Sequence, residues 1–88
     1  MRLLTTRRFE RDLKRARKRG RPIEKLQRIV RLLVDDRPLP ASCRPHALSG
    51  PWRGFLECHV EPDWLLIWRR EEDAIILTRL GSHSDLFG

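Results

Sequence analysis

An α+β fold, with two N-terminal helices packed on one face of an antiparallel β-sheet in the order β-α-α-β-β-β, is the architecture this chain's pattern predicts. Apolar residues recur at helical spacing through Leu33, and the period switches to two after Gly54. A proline-rich stretch at 35–52 separates these halves. The 88 residues suffice for a single domain, 1–88, with a small core.

Met1–Thr5 is short and β-compatible. Thr5 or Thr6 can cap a helix starting near Arg7, because a threonine oxygen accepts a bond from an unpaired first-turn amide. Phe9, Leu13 and Ala16 stand at i, i+4 and i+7, a narrow apolar stripe on a basic cylinder. Gly20 tolerates the left-handed conformation that ends many helices. Pro22 suits the first position of a second helix, where its missing N–H costs nothing. Ile23, Leu26, Ile29, Val30 and Leu33 continue at helical spacing until Asp35-Asp36-Arg37-Pro38. Four prolines and one glycine in residues 35–52 predict a long loop. Phe55–Val60 then alternates Leu56, Cys58 and Val60 against Phe55, Glu57 and His59. Glu61-Pro62-Asp63 and Glu71-Glu72-Asp73 punctuate two turns, with strands at Trp64–Arg70 and Ala74–Leu80. Gly81 closes this meander, and Ser82–Gly88 reads as a short polar tail.

Charge divides the chain unevenly. Residues 1–31 hold thirteen Lys/Arg against three Asp/Glu, whereas residues 32–88 hold six against nine. Sixteen of the nineteen bases are arginine, whose planar fork matches phosphate. A basic end of this density is the footprint expected for nucleic acid, although a solvated helix surface has the same composition. Arg7, Arg11, Lys14, Arg15 and Lys18 are the candidate docking bases. No apolar run nears the ~20 residues of a membrane span, and the first residues lack the apolar stretch of a signal peptide. Cys43 and Cys58 form no CxxC pair. The expectation is a cytoplasmic protein with reduced thiols and no membrane partner.

All three histidines lie in the second half: His46 in the loop, His59 on a strand and His83 in the tail. Asp63 follows His59 by four residues, and Glu57 shares the outward strand face with it. A meander can gather these groups into a polar patch on the sheet face the helices leave open. Scattered histidines without a shared site are the competing reading. A metal is disfavoured, since there is no His-x-x-x-His and no paired cysteine spacing. Neither GxSxG nor a phosphate-binding GxxxxGK loop occurs, and no cofactor is implied. Histidine and carboxylate together suit proton transfer. RNA carries its own nucleophile, the 2′-hydroxyl, and such a patch can deprotonate it and protonate the leaving 5′-oxygen. Arg79 and Arg53 flank the patch, while Trp64 and Phe87 offer faces on which bases can stack. Trp52, Trp64 and Trp68 are equally suited to a core.

The run from Leu48 to Ile67, with its ECH-x-x-PDWLLI segment, resembles the YafQ branch of the RelE-like toxins. So does Thr78–Phe87, which contains GSHSDLF, and the resemblance extends over nearly the whole chain. It implies a RelE-like fold and a ribosome-dependent mRNA endonuclease, the toxin of a type II toxin–antitoxin pair. Cutting would occur in the ribosomal A site, with preference for adenine-rich codons. By the motif match, His46, His59, Asp63 and His83 fall on active-site positions, with His83 as general acid. Asp63 with His59 or His46 would handle the 2′-hydroxyl proton. Glu57, Trp64 and Phe87 fall on positions associated with holding mRNA. Trp68 replaces a usual tyrosine and Leu80 a common threonine, and neither change removes a catalytic group. The implied partners are an acidic, partly disordered antitoxin, the 70S ribosome and mRNA, with the free chain a monomer. A non-catalytic RNA- or DNA-binding module, or an inactive homologue kept for antitoxin binding, would share the basic end. Neither would need the histidine set.

Overall fold

Thr6 starts the first helix: its hydroxyl accepts the Phe9 amide at 3.0 Å and donates to the Thr78 carbonyl at 2.8 Å. The computed structural model describes residues 1–88 and places β1 (Arg2–Thr5) before α1 (Arg7–Lys18). Gly20, at φ +74°, supplies the left-handed residue that ends α1, and α2 (Ile23–Val34) follows. Pro22 lies just outside α2, one position earlier than expected. Its fixed φ still introduces the helix without an orphaned amide.

The 35–52 stretch is more structured than a plain loop. It holds two single-turn helices, Ala41–Cys43 and Gly50–Trp52, and between them a short strand β2 (His46–Ala47). The meander then appears as β3 (Leu56–Glu61), β4 (Trp64–Glu71) and β5 (Ala74–Gly81). The expected polar tail is instead a helix, α3 (His83–Phe87). Ser82 accepts the Asp85 amide at 3.1 Å, and Asp85 accepts the Ser82 amide at 3.0 Å, a reciprocal capping box.

The sheet runs β1-β5-β4-β3-β2, and β1 pairs parallel to β5 with Arg2 opposite Ala74 and Thr5 opposite Leu77. It is therefore mixed, which corrects the all-antiparallel expectation. The physical reason is directional: two tight turns return β5 to the direction of β3, and β1 joins the vacant edge beside it. Nothing within five residues at the N-terminus specifies that distant partner.

The helices cover one sheet face. Phe9, Ala16, Leu26, Ile29 and Leu33 meet Cys58, Trp64, Leu66, Trp68, Ile75, Leu77 and Leu80 in the main core. The other face is covered in part by α3 and the Gly50–Trp52 turn, where Leu65, Ile67 and Leu86 pack with Leu48, Trp52 and Phe55. Burial pushes the Cys58 thiol up to about 12, since a thiolate there would be unsolvated. Cys43 and Cys58 are both free thiols. No helix is long and apolar enough to cross a membrane.

A β-bulge shapes β5. Ile67 pairs with Arg79 but Trp68 pairs with Leu77, so Thr78 is the extra residue. The inserted residue lets Leu77 and Leu80 both face the helices although three positions separate them. β1 reaches only to Leu77, so the β5 edge beyond it falls to α1. Asp12, buried at 4% exposure on the apolar face of α1, accepts the Leu80 amide at 3.0 Å. It also takes Arg79 Nε at 2.7 Å and Arg15 Nη2 at 3.0 Å.

Removing one member of a buried pair strands the other charge. Asp12→Ala is expected to lower unfolding free energy by about 3–5 kcal/mol in a urea titration. Asp12→Ala combined with Arg79→Met should recover part of that loss. A single-mutant midpoint equal to wild type would remove Asp12 from its structural role.

Candidate active site

Four short elements deliver the site residues. β2 carries His46, β3 carries Glu57 and His59, the β3–β4 turn carries Asp63, and α3 begins with His83. A bulge between His59 and Glu61 ends the regular β3 pairing beside that turn. The structure brings His59, Asp63 and His83 together. The His59 and His83 rings lie 5.8 Å apart between centroids at 64°, and His83 Nδ1 stands 2.7 Å from Asp63 Oδ1. The same Oδ1 accepts the His83 amide at 3.0 Å. These hydrogen bonds hold the Asp63 carboxyl below its usual range, the His83 amide contributing most.

Carbonyl and carboxylate oxygens only accept, so each ring nitrogen facing one must carry hydrogen. His59 Nδ1 lies 3.2 Å from the Pro62 carbonyl, His46 Nδ1 lies 2.8 Å from the Arg44 carbonyl, and His83 Nδ1 faces Asp63. All three imidazoles are thus held with Nδ1–H inward. Nε2 of His59 and His83 is left for another molecule, whereas His46 Nε2 already stands 3.4 Å from Glu57 Oε1. His46 and Glu57 are register partners, and Glu57 lies two residues before His59 on the same face, about 7 Å away along the strand. The Arg44 carbonyl reaches His46 because Arg44 adopts φ +49°, a left-handed conformation uncommon for arginine.

Four expected contacts are placed otherwise. Trp64 is 1% exposed in the main core beneath the helices, and offers no free face for a base. Its strand parity with Leu66 and Trp68 turns it inward. Arg79 is buried against Asp12 rather than free on the patch. Glu57 is also buried, with its Oε2 lacking any partner. Arg15 is engaged by Asp12 and, at 3.7 Å, by Asp85. Phe87 remains 47% exposed, edge-on to Trp52 with centroids 6.2 Å apart.

Arg7, Arg11, Lys14 and Lys18 recur at i, i+4, i+7 and i+11 on α1, all exposed and none in an ion pair. This spacing puts them on one stripe opposite the buried face. Sequence reasoning missed Asp12 and Asp85. An acid on the apolar stripe between Phe9 and Ala16 signals the first, and the Ser82-x-x-Asp85 spacing signals the second.

The fold and this cluster define a small basic α+β protein with two oriented imidazoles gathered beside an aspartate. The family profile of a bacterial toxin of type II toxin–antitoxin systems, YafQ, matches residues 1–88. The chain belongs to the YafQ toxin family. It is 40% identical over 81 residues to the mRNA interferase toxin YafQ of Escherichia coli K12, covering 91% of this chain and 88% of that protein. The crystal structure of YafQ from E. coli BL21(DE3) superposes with a TM-score of 0.95 at 36% identity, covering 100% of both chains. The toxin in the E. coli DinJ–YafQ complex superposes at 0.92 with 37% identity, also over 100% of both chains.

Acid titration tests how α3 is held. Asp63 and Asp85 both have lowered folded values, so their contribution is fully present above the ordinary aspartate value of about 3.9. It is lost as pH falls through the depressed folded values. Amide exchange, corrected for intrinsic rates, should show constant protection of His83 and Ser82, whose amides donate to the two carboxylates, from pH 8 to 5 and loss only below about pH 4. Loss already at pH 6 would mean that groups other than these two carboxylates hold the helix.

Proposed function

We propose that this chain is an mRNA interferase, a metal-independent endoribonuclease that cuts mRNA in the A site of the 70S ribosome. The observation that carries the reading is the His59–Asp63–His83 cluster, with two Nε2 atoms unclaimed and one ring anchored on a carboxylate. His59, held by a neutral carbonyl, takes the 2′-hydroxyl proton on Nε2. The 2′-oxygen then attacks the adjacent phosphorus, and the P–O5′ bond breaks. His83, whose Nδ1–H points at an ionised carboxylate, gives the Nε2 proton to the departing 5′-oxygen. Asp63 orients His83, and His46 with Glu57 forms the neighbouring wall. The products are a 2′,3′-cyclic phosphate and a 5′-hydroxyl, with His59 protonated and His83 neutral. Proton exchange with water resets the pair. Phe87 supplies an exposed ring for a base.

The free basic stripe of α1 docks on ribosomal RNA phosphates. Its partner in the cell is an acidic antitoxin, by analogy with the DinJ–YafQ complex of the relative. A cytoplasmic monomer that is silenced by its antitoxin and needs no cofactor fits this reading. A pure binding module would have no use for the three pinned imidazoles.

His83→Ala should slow single-turnover cleavage on saturated ribosomes by ~10²–10⁴-fold. Replacing the bridging 5′-oxygen by sulfur makes a leaving group that needs little protonation, and should restore much of the rate. A defect that persists with sulfur would refute His83 as the acid. A message with one 2′-deoxy position at the cut site should survive, and cutting there would exclude 2′-oxygen attack.

Docking has its own measurement. Changing Arg7, Arg11, Lys14 and Lys18 to Gln should reduce the slope of log affinity for ribosomes against log salt by roughly three, at about 0.7–0.9 per phosphate contact. An unaltered slope would assign docking to another surface.

A further inference from the structure

His83 and Asp63 lie 20 residues apart in sequence on two short elements, and their mutual placement needs an outside reference. The α1–α2 turn supplies one. The Gly20 amide donates to the Arg17 carbonyl at 3.1 Å and the Arg21 amide to the Ala16 carbonyl at 3.0 Å, which fixes the turn on the end of α1. From it Arg19 reaches one way and Arg21 the other. Arg19 Nη1 lies 3.0 Å from Asp85 Oδ2, the oxygen that caps α3 through the Ser82 amide. Arg21 lies 3.4 Å from both Glu61 Oε1, through Nη1, and the Asp63 carbonyl, through Nη2. Its guanidinium sits over the Trp64 ring at 5.6 Å.

We propose that Arg19-Gly20-Arg21 is a two-armed clamp that sets the spacing of His83 and Asp63, with Arg19 and Arg21 as positioning residues. The inference rests on the reading of that pair as the proton-transfer site. One arm holds the helix that begins with His83, and the other holds the turn that presents Asp63. Lys25 reinforces the second arm, with Nζ 3.2 Å from Glu61 Oε2. The first is packed closely: a Cβ on Gly81 would fall 2.8 Å from Asp85 Cβ and 3.3 Å from Arg15 Nη2. Buried Trp64, unsuited to stacking on a base, is the floor on which Arg21 rests. The ion pairs are partly exposed, with Arg19 51% and Arg21 28% accessible, so they add little to global stability. Their effect falls on geometry, where a displacement of about 1 Å can cost ~10²-fold in rate.

Arg19→Gln and Arg21→Gln, singly and together, test the clamp. Single-turnover cleavage on saturated ribosomes should fall about ten- to hundredfold. Ribosome affinity should stay within about threefold and thermal stability should be nearly unchanged. In a His83→Ala background the double substitution should slow cleavage no further, because both act through one group. Arg19→Lys should restore part of the rate, since an ammonium can still reach Asp85. Multiplicative losses with His83→Ala, or lost affinity at an unchanged maximal rate, would make these arginines ribosome contacts and overturn the proposal. Amide exchange at His83 tests the same idea without RNA: it should accelerate at least tenfold in the double variant, and unchanged exchange would refute the clamp. Wild-type protein that leaves ribosome-bound mRNA intact would refute the nuclease reading, and the exchange result would then decide the clamp alone.

Discussion

The Asp12 carboxylate stands where α1, β5 and the loop to α3 converge. It replaces the strand that would otherwise continue along the β5 edge past Leu77, accepting the Leu80 amide. It balances the guanidinium of Arg79, which the bulge at Thr78 leaves buried. A charged group survives in such a place only if paired and hydrogen-bonded, and each partner here makes the other tolerable. The arrangement locks the helix layer to the strand that leads into His83. Site geometry therefore depends on a contact outside the site.

The basic surplus has two destinations. Arg15, Arg19, Arg21 and Lys25 are directed inward onto Asp12, Asp85 and Glu61, on the side of the helical layer toward the site. Arg7, Arg11, Lys14 and Lys18 point to solvent and form no ion pair. A free cation on a rigid helix suits phosphate binding because no internal pair need be broken first. One helical layer thus serves as both docking surface and brace.

The histidines repeat one device. Each has Nδ1 on an oxygen acceptor supplied by a turn: the left-handed Arg44 residue, the Pro62 carbonyl, or the Asp63 side chain. Fixing one nitrogen fixes the tautomer and aims the other. Chemically equal rings become distinct through what faces them: a neutral carbonyl behind His59, an anion behind His83, and Glu57 in front of His46.

Much of the molecule was legible in the residues. Helical spacing located both long helices to within a residue or two, and the alternation around Glu57-Cys58-His59 placed the two polar side chains on the face away from the helices. Both tight turns were marked by acidic residues, and the first also by Pro62. These signals are short-range, since periodicity and turn chemistry depend on neighbours a few residues apart. Trp64 was read as a stacking face because it adjoins Asp63, whereas its parity with Leu66 and Trp68 carries the signal that it faces the core. Tertiary structure alone decided the parallel seat of β1, the pairing of Asp12 with Arg79 across 67 residues, and the gathering of His59 and His83 beside Asp63. A carboxylate in a sequence carries no mark of which cation will reach it, because that choice is made by strand register and packing between segments far apart along the chain.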